Sequence, residues 1–194
     1  REAYAGFENL CFVERHGAEQ HPYFGFDYEL AGKRIAEKVI SEDFHRIAVI
    51  TDSMRFSNEH DFSRGLCSRF RGGKVKYTHI TTDNRRVSHS MIDLLMKEED
   101  YDAVVTSNIR FAEKIRHVVE NFSLEQPIPI FTLSSVTSLP EQDYRKYELN
   151  YGLLGRAVAE TLIGESSEKQ VQPEQLFEND GFRLWNQMER GSRP

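Results

Sequence analysis

Apolar positions along this chain follow two periods in turn. Short runs at Leu10–Glu14, Tyr23–Phe26, Ile47–Thr51, Val75–Ile80, Ala103–Thr106 and Ile128–Leu133 predict strands. Between them, Tyr28, Ala31, Ile35 and Val39 recur at helical spacing, with Asp27 placed as an N-cap. Phe62, Leu66 and Phe70 do the same, as do Val87, Met91, Leu94 and Leu95, and Phe111, Ile115, Val118 and Val119. Residues 46–133 therefore read β-α-β-α-β-α-β. Strands without polar alternation, separated by amphipathic helices, imply burial on both faces. The expected fold class is α/β, a parallel sheet flanked by helices on both faces with right-handed crossovers.

Beyond Leu133 the pattern changes. Ser134–Glu148 reads as a polar loop, and Leu153, Leu154, Ala157, Val158 and Leu162 predict one more helix, stopped at Gly164. Residues 165–174 read as a linker, and Phe182–Trp185 as a last strand.

Composition narrows the function. The chain has 194 residues and a formal net charge of −6. Contacts to phosphates need clustered Lys and Arg, and the nearest cluster, Arg69, Arg71, Lys74 and Lys76, reads as a solvated helix end. Specific binding of DNA by this chain alone is not expected. Cys11 and Cys67 match no metal or redox spacing and read as buried free thiols suited to a reducing cytoplasm. No apolar run approaches the roughly 20 residues of a membrane helix.

Motifs for a nucleophile elbow, phosphate loop, zinc protease or dinucleotide site are absent from the sequence. The seven histidines show no metal spacing, His16 and His21 included, and His45 at a strand entry reads as structural. The expectation is no enzyme, no cofactor and no metal. The remaining chemistry sits at the expected carboxyl ends of strands: Thr51-Asp52-Ser53, Thr81-Thr82-Asp83, Thr106-Ser107-Asn108 and Leu133-Ser134-Ser135. Open parallel sheets bind ligands at that edge, and these side chains can donate or accept hydrogen bonds to a small molecule.

The order of segments resembles the LacI/GalR family of transcription regulators. Phe26-Asp27-Tyr28-Glu29-Leu30-Ala31-Gly32 before a helix, and Phe44-His45-Arg46-Ile47-Ala48-Val49-Ile50 after it, are similar to that family's aspartate-to-glycine helix and its next strand entry. Phe62-Ser63-Arg64-Gly65-Leu66 resembles an arginine–glycine helix motif. Val104-Val105-Thr106-Ser107-Asn108, Ile128–Ser135 and Asn150–Ala157 match further segments in order.

The resemblance implies a sensor of the type I periplasmic-binding-protein fold that holds an effector between two lobes. By that map, residues 1–27 end the first lobe and 28–145 form most of the second. Residues 146–164 return to the first lobe, and 165–194 are linker and terminal strand. It also implies a homodimer, and operator contact through an N-terminal helix-turn-helix that has no counterpart here, as expected of a truncated chain.

The ligand residues expected are Asp52, Asn58, Phe62, Asn108 and Ser134. Asp52, Asn108 and Ser134 fall at three strand ends, and Asn58 and Phe62 lie four apart on one helix face. Phe62 fits a core position with Leu66 and Phe70 equally well. Phe62 stands where sugar-binding members carry arginine, and Ser134 where they carry aspartate, so the effector expected is not an ordinary sugar. An exported solute-binding protein of a transporter would share these lobes. A receiver-like signalling domain would need a lysine after the last strand, where serines stand instead.

Overall fold

Parallel pairing brings every strand of the main sheet to the same direction. In the computed structural model the described residues are 10–14, 23–82, 101–121, 128–135, 144–163 and 174–177. They contain β1 (Phe12–Val13), β2 (Tyr23–Phe26), α1 (Tyr28–Ser41), β3 (Arg46–Thr51), α2 (Ser57–Phe70), β4 (Lys76–Thr81), β5 (Ala103–Thr106), α3 (Ile109–Asn121), β6 (Ile130–Ser134), β7 (Tyr144–Glu148), α4 (Tyr151–Ile163) and β8 (Glu174–Phe177). The expected helix around Val87–Leu95 and the expected strand Phe182–Trp185 lie outside the described residues.

The chain divides into two compact units, one built from Arg1–Asp27 and Leu149–Phe182, the other mainly from Tyr28–Glu148. The smaller contains a parallel sheet in the order β1-β2-β8. There the Phe26 ring meets Tyr151 of α4 edge-on at 4.9 Å. β8 begins at Glu174, inside the segment read as linker.

The larger unit carries a five-stranded sheet in the order β4-β3-β5-β6-β7. All four pairings are parallel, as the unalternating apolar strands required. Ile47, Val49 and Thr51 point to one face and Ala48 and Ile50 to the other. Ala48 and Ile50 pack with Val104, Ile130 and the α3 residues Ala112 and Ile115. On the opposite face Phe70 of α2 meets Tyr77 at 5.4 Å, and the Tyr147 hydroxyl donates to the Arg34 carbonyl of α1. Helices therefore cover both faces of this sheet.

β7 corrects the reading of Ser134–Glu148 as loop. The segment Tyr-Arg-Lys-Tyr-Glu forms an edge strand in register with β6, Leu133 opposite Tyr147. Its charges hid it, because edge strands tolerate charged side chains that central ones do not. Arg145 pairs with Glu42 and lies over the rings of Phe131 and Phe44, at 5.1 and 5.4 Å. Residues 146–148 thus stay with the larger unit, and the return to the smaller one begins at Leu149. The cysteines are also corrected: both are free, but half-buried rather than buried.

Two local devices set the helices in place. At the end of α1, Asp43 adopts φ 63°, the Phe44 N–H donates to the Val39 carbonyl and the Asp43 N–H to the Ile40 carbonyl. This is the left-handed helix stop normally taken by glycine. At the entry to β3 the Asp102 carboxylate accepts from the His45 and Arg46 N–H groups at 2.7 and 2.9 Å.

Candidate functional site

A parallel sheet collects the carboxyl ends of its strands along one edge, and the residues just beyond them are the ones a ligand can reach. In the larger unit that edge runs from Thr82 after β4, through Asp52 and Ser53 after β3 and Ser107 and Asn108 after β5, to Ser134 at the end of β6. Backbone bonds tie the ends together. The Thr82 N–H donates to the Thr51 carbonyl at 2.9 Å, and the Ser107 N–H to the Ile50 carbonyl at 3.2 Å.

Glu59 lies at the centre of this edge. It is the third residue of α2, and its Oε2 accepts the Asp52 N–H at 3.0 Å. Carboxylates at this helical position ordinarily turn back to the N-cap amide; here the carboxylate reaches the end of β3 instead. Glu59 is only 6% exposed. Burial pushes its carboxyl above the usual range; the Ser107 hydroxyl and the Asp52 N–H partly offset this, and the Asp52 charge adds to it.

The neighbouring hydroxyls are unusual in a different way. Ser107 and Thr82 are 7% and 3% exposed, and neither side-chain oxygen has a hydrogen-bond partner at bonding distance. Ser107 lies close enough to Glu59 to favour its charged form without closing a bond of its own. Buried hydroxyls are normally satisfied, so orphans at a binding edge mark places where another molecule can supply the partner.

Asn108 has a structural duty besides. Its Oδ1 accepts the Phe111 N–H at 3.2 Å and caps α3. Beneath it the Thr106 hydroxyl donates to Thr132 Oγ1 at 2.8 Å, joining β5 to β6. On the other face the Thr51 hydroxyl and His79 Nε2 are 2.9 Å apart, and burial holds the His79 imidazole below its usual value.

Of the residues expected from sequence, Asp52, Asn108 and Ser134 come to this edge, and half-buried Asn58 sits in the first turn of α2 beside Glu59. Ser134 is buried at the last position of β6. Phe62 does not join them. It is 0% exposed, on the stretch of α2 that meets α1, where its carbonyl faces Gly32. Of the two roles its spacing allowed, the structure places it in the core. Sequence reasoning named Ser107 and Thr82 only within the polar strand ends, and passed over Glu59. The available signal was a Glu at the third position of a helix that follows directly on a strand end.

Comparison with solved structures identifies the architecture. A LacI-family regulator from Clostridium acetobutylicum superposes with a TM-score of 0.75 at 12% identity, covering 91% of this chain and 69% of its own. The fold is that of LacI-family regulators. A periplasmic binding protein/LacI transcriptional regulator from Alkaliphilus metalliredigens, solved with D-xylulofuranose, gives 0.74 at 15% identity over 90% of this chain and 69% of its own. The Cra dual regulator from Pseudomonas putida, solved with fructose 1-phosphate, gives 0.71 at 13% identity over 87% and 66%. This chain thus spans about two thirds of the length of such LacI-family structures. No protein-family model and no curated protein matches the sequence. Among the described residues no group of three or more His, Cys, Asp or Glu could hold a metal ion, and no helix is long and apolar enough to cross a membrane.

Proposed function

We propose that this chain is the effector-sensing part of a LacI-type transcription regulator. A small molecule seats on the carboxyl edge of the larger unit's sheet, against Asp52, Asn58, Asn108 and Ser134 together with Glu59 and Ser107. Its binding shifts the population of two conformations, and operator affinity follows through a DNA-binding domain outside residues 1–194. The intact regulator acts in the cytoplasm as a homodimer, since palindromic operators are read by two-fold partners. The chain performs no catalysis in this reading.

The observation that carries the reading is the convergence of polar strand ends on one edge, with orphaned Ser107 beside Glu59. Complexes of two fold neighbours with a sugar and a sugar phosphate support a small hydroxylated ligand. Phe62, withdrawn into the core, leaves the position where the resemblance places a sugar-binding arginine without a charged group.

The test is a thermal-shift screen of this chain against sugars, amino sugars, sugar phosphates and nucleosides, followed by calorimetry. Asn108→Ala should weaken the ligand found by about 1–3 kcal/mol, the cost of a lost buried polar contact. Unchanged affinity in that variant would remove Asn108 from the site. Sedimentation of the full-length regulator at micromolar concentration should give a dimer.

A further inference from the structure

Glu59 is the one buried carboxyl at the described carboxyl edge, and its surroundings say what kind of group it can take. One oxygen, Oε2, accepts the Asp52 N–H at 3.0 Å. The Asp52 carboxyl, half-exposed, uses Oδ1 to accept the N–H of Ser53 at 2.7 Å. These bonds engage one oxygen of each carboxyl, Glu59 Oε2 and Asp52 Oδ1. Their charges oppose one another, and burial disfavours ionisation of Glu59 further. Beside them Ser107 holds a buried hydroxyl with no partner. This edge therefore stores two unfavourable features, a desolvated acidic group next to a like charge and an orphaned hydroxyl.

A ligand group that relieves both must donate hydrogen bonds and carry positive charge. A protonated primary amine has three donors and a full charge, enough to meet both carboxyls and the serine. A neutral hydroxyl supplies one donor and leaves the like-charge repulsion in place. A phosphate adds negative charge to two carboxyls and is disfavoured on Coulomb grounds.

We propose that the effector is a hydroxylated primary amine of the amino-sugar class, its ammonium group held by Glu59, Asp52 and Ser107. This rests on the sensor reading above and narrows its ligand. Glu59 is then the specificity-determining residue. The hydroxyl groups fall to Asn108 and Ser134, whose side chains can each donate and accept.

The test is calorimetry of the full chain with three hexosamines (glucosamine, galactosamine, mannosamine), their parent hexoses, and the corresponding hexose 6-phosphates. At least one hexosamine should bind ten-fold or more tightly than its parent hexose and than its phosphate. Glu59→Gln keeps the acceptor for the Asp52 N–H and removes the charge; it should cut that preference to three-fold or less. Ser107→Ala gives a second variant and should weaken the hexosamine by five-fold or more. A hexose or a phosphate that binds as tightly as the amine overturns the proposal and leaves the sensor reading standing. A preference untouched in both variants overturns the assignment to Glu59 and Ser107. Absence of binding across the whole panel overturns the proposal, and a nucleoside or aromatic ligand emerging from the wider screen would still uphold the sensor reading.

Discussion

Glu59 illustrates how a side chain can be costly to the fold and useful to the site. Its carboxyl is pushed up by burial, so the unfolded chain releases that proton at lower pH than the folded one. The sign follows from linkage: a carboxyl with a raised folded pKa favours the folded state at low pH, and that contribution is lost as pH rises from the unfolded value of 4.5 through the folded one. Glu59→Gln should therefore be more stable than wild type at pH 7, and the advantage should vanish near pH 4. Urea unfolding at the two pH values checks this, and an advantage independent of pH would count against it. Phe62 offers the opposite case. As a fully buried core ring, Phe62→Ala should cost about 3–5 kcal/mol of stability. Asn108→Ala should cost about 1 kcal/mol from the lost cap of α3. Chemical denaturation measures both.

At the scale of elements, the contact between α1 and α2 depends on two glycines. A Cβ on Gly32 would collide with the Phe62 carbonyl, and one on Gly65 with the Glu29 carbonyl. The two backbones touch because neither helix carries a side chain at the crossing. Glu29 reinforces the crossing by pairing with Lys33 on its own helix and Arg64 on α2, and these partners hold its carboxyl below the usual range. Alanine normally stabilises a helix over glycine by about 1 kcal/mol. At Gly65 overpacking against backbone outweighs that gain, and Gly65→Ala should destabilise by about 1–3 kcal/mol. Asp43 is the reverse situation: it holds a left-handed conformation with φ 63° at the stop of α1. Asp43→Gly should stabilise by up to about 1 kcal/mol. Melting curves of the two single variants should move in opposite directions.

At the scale of the molecule, ligand binding and folding share one equilibrium. An effector that binds only the folded chain stabilises it by about 2.7 kcal/mol at a hundred times its dissociation constant. For a chain of this length, 194 residues, each kcal/mol is worth roughly 2–4 °C of melting temperature. The expected rise is therefore about 5–10 °C at that concentration, read by scanning fluorimetry. With a net charge of −6, the chain by itself should show no sequence-specific shift of duplex DNA at physiological salt.

The sequence by itself determined the direction and company of the central strands. Ile47–Thr51 and Ala103–Thr106 lack polar alternation because both their faces are buried, and only a parallel sheet between helices does that. Composition likewise placed polar residues at each strand end, so Asp52, Asn108 and Ser134 were legible as one edge. Only the tertiary structure decided the rest. Periodicity says that Phe62 faces inward from α2, but not whether inward is a cleft or the α1 crossing; Gly32 and Gly65 bring the helices together and settle it. Alternation cannot reveal β7, because Arg145 is sheltered by Phe44, Phe131 and Glu42 from distant parts of the chain. Glu59 reads in one dimension as a helix-capping acid. Its raised pKa and its place beside Ser107 exist only once β3 and β5 lie side by side, because desolvation and charge depend on distance in space and not along the chain.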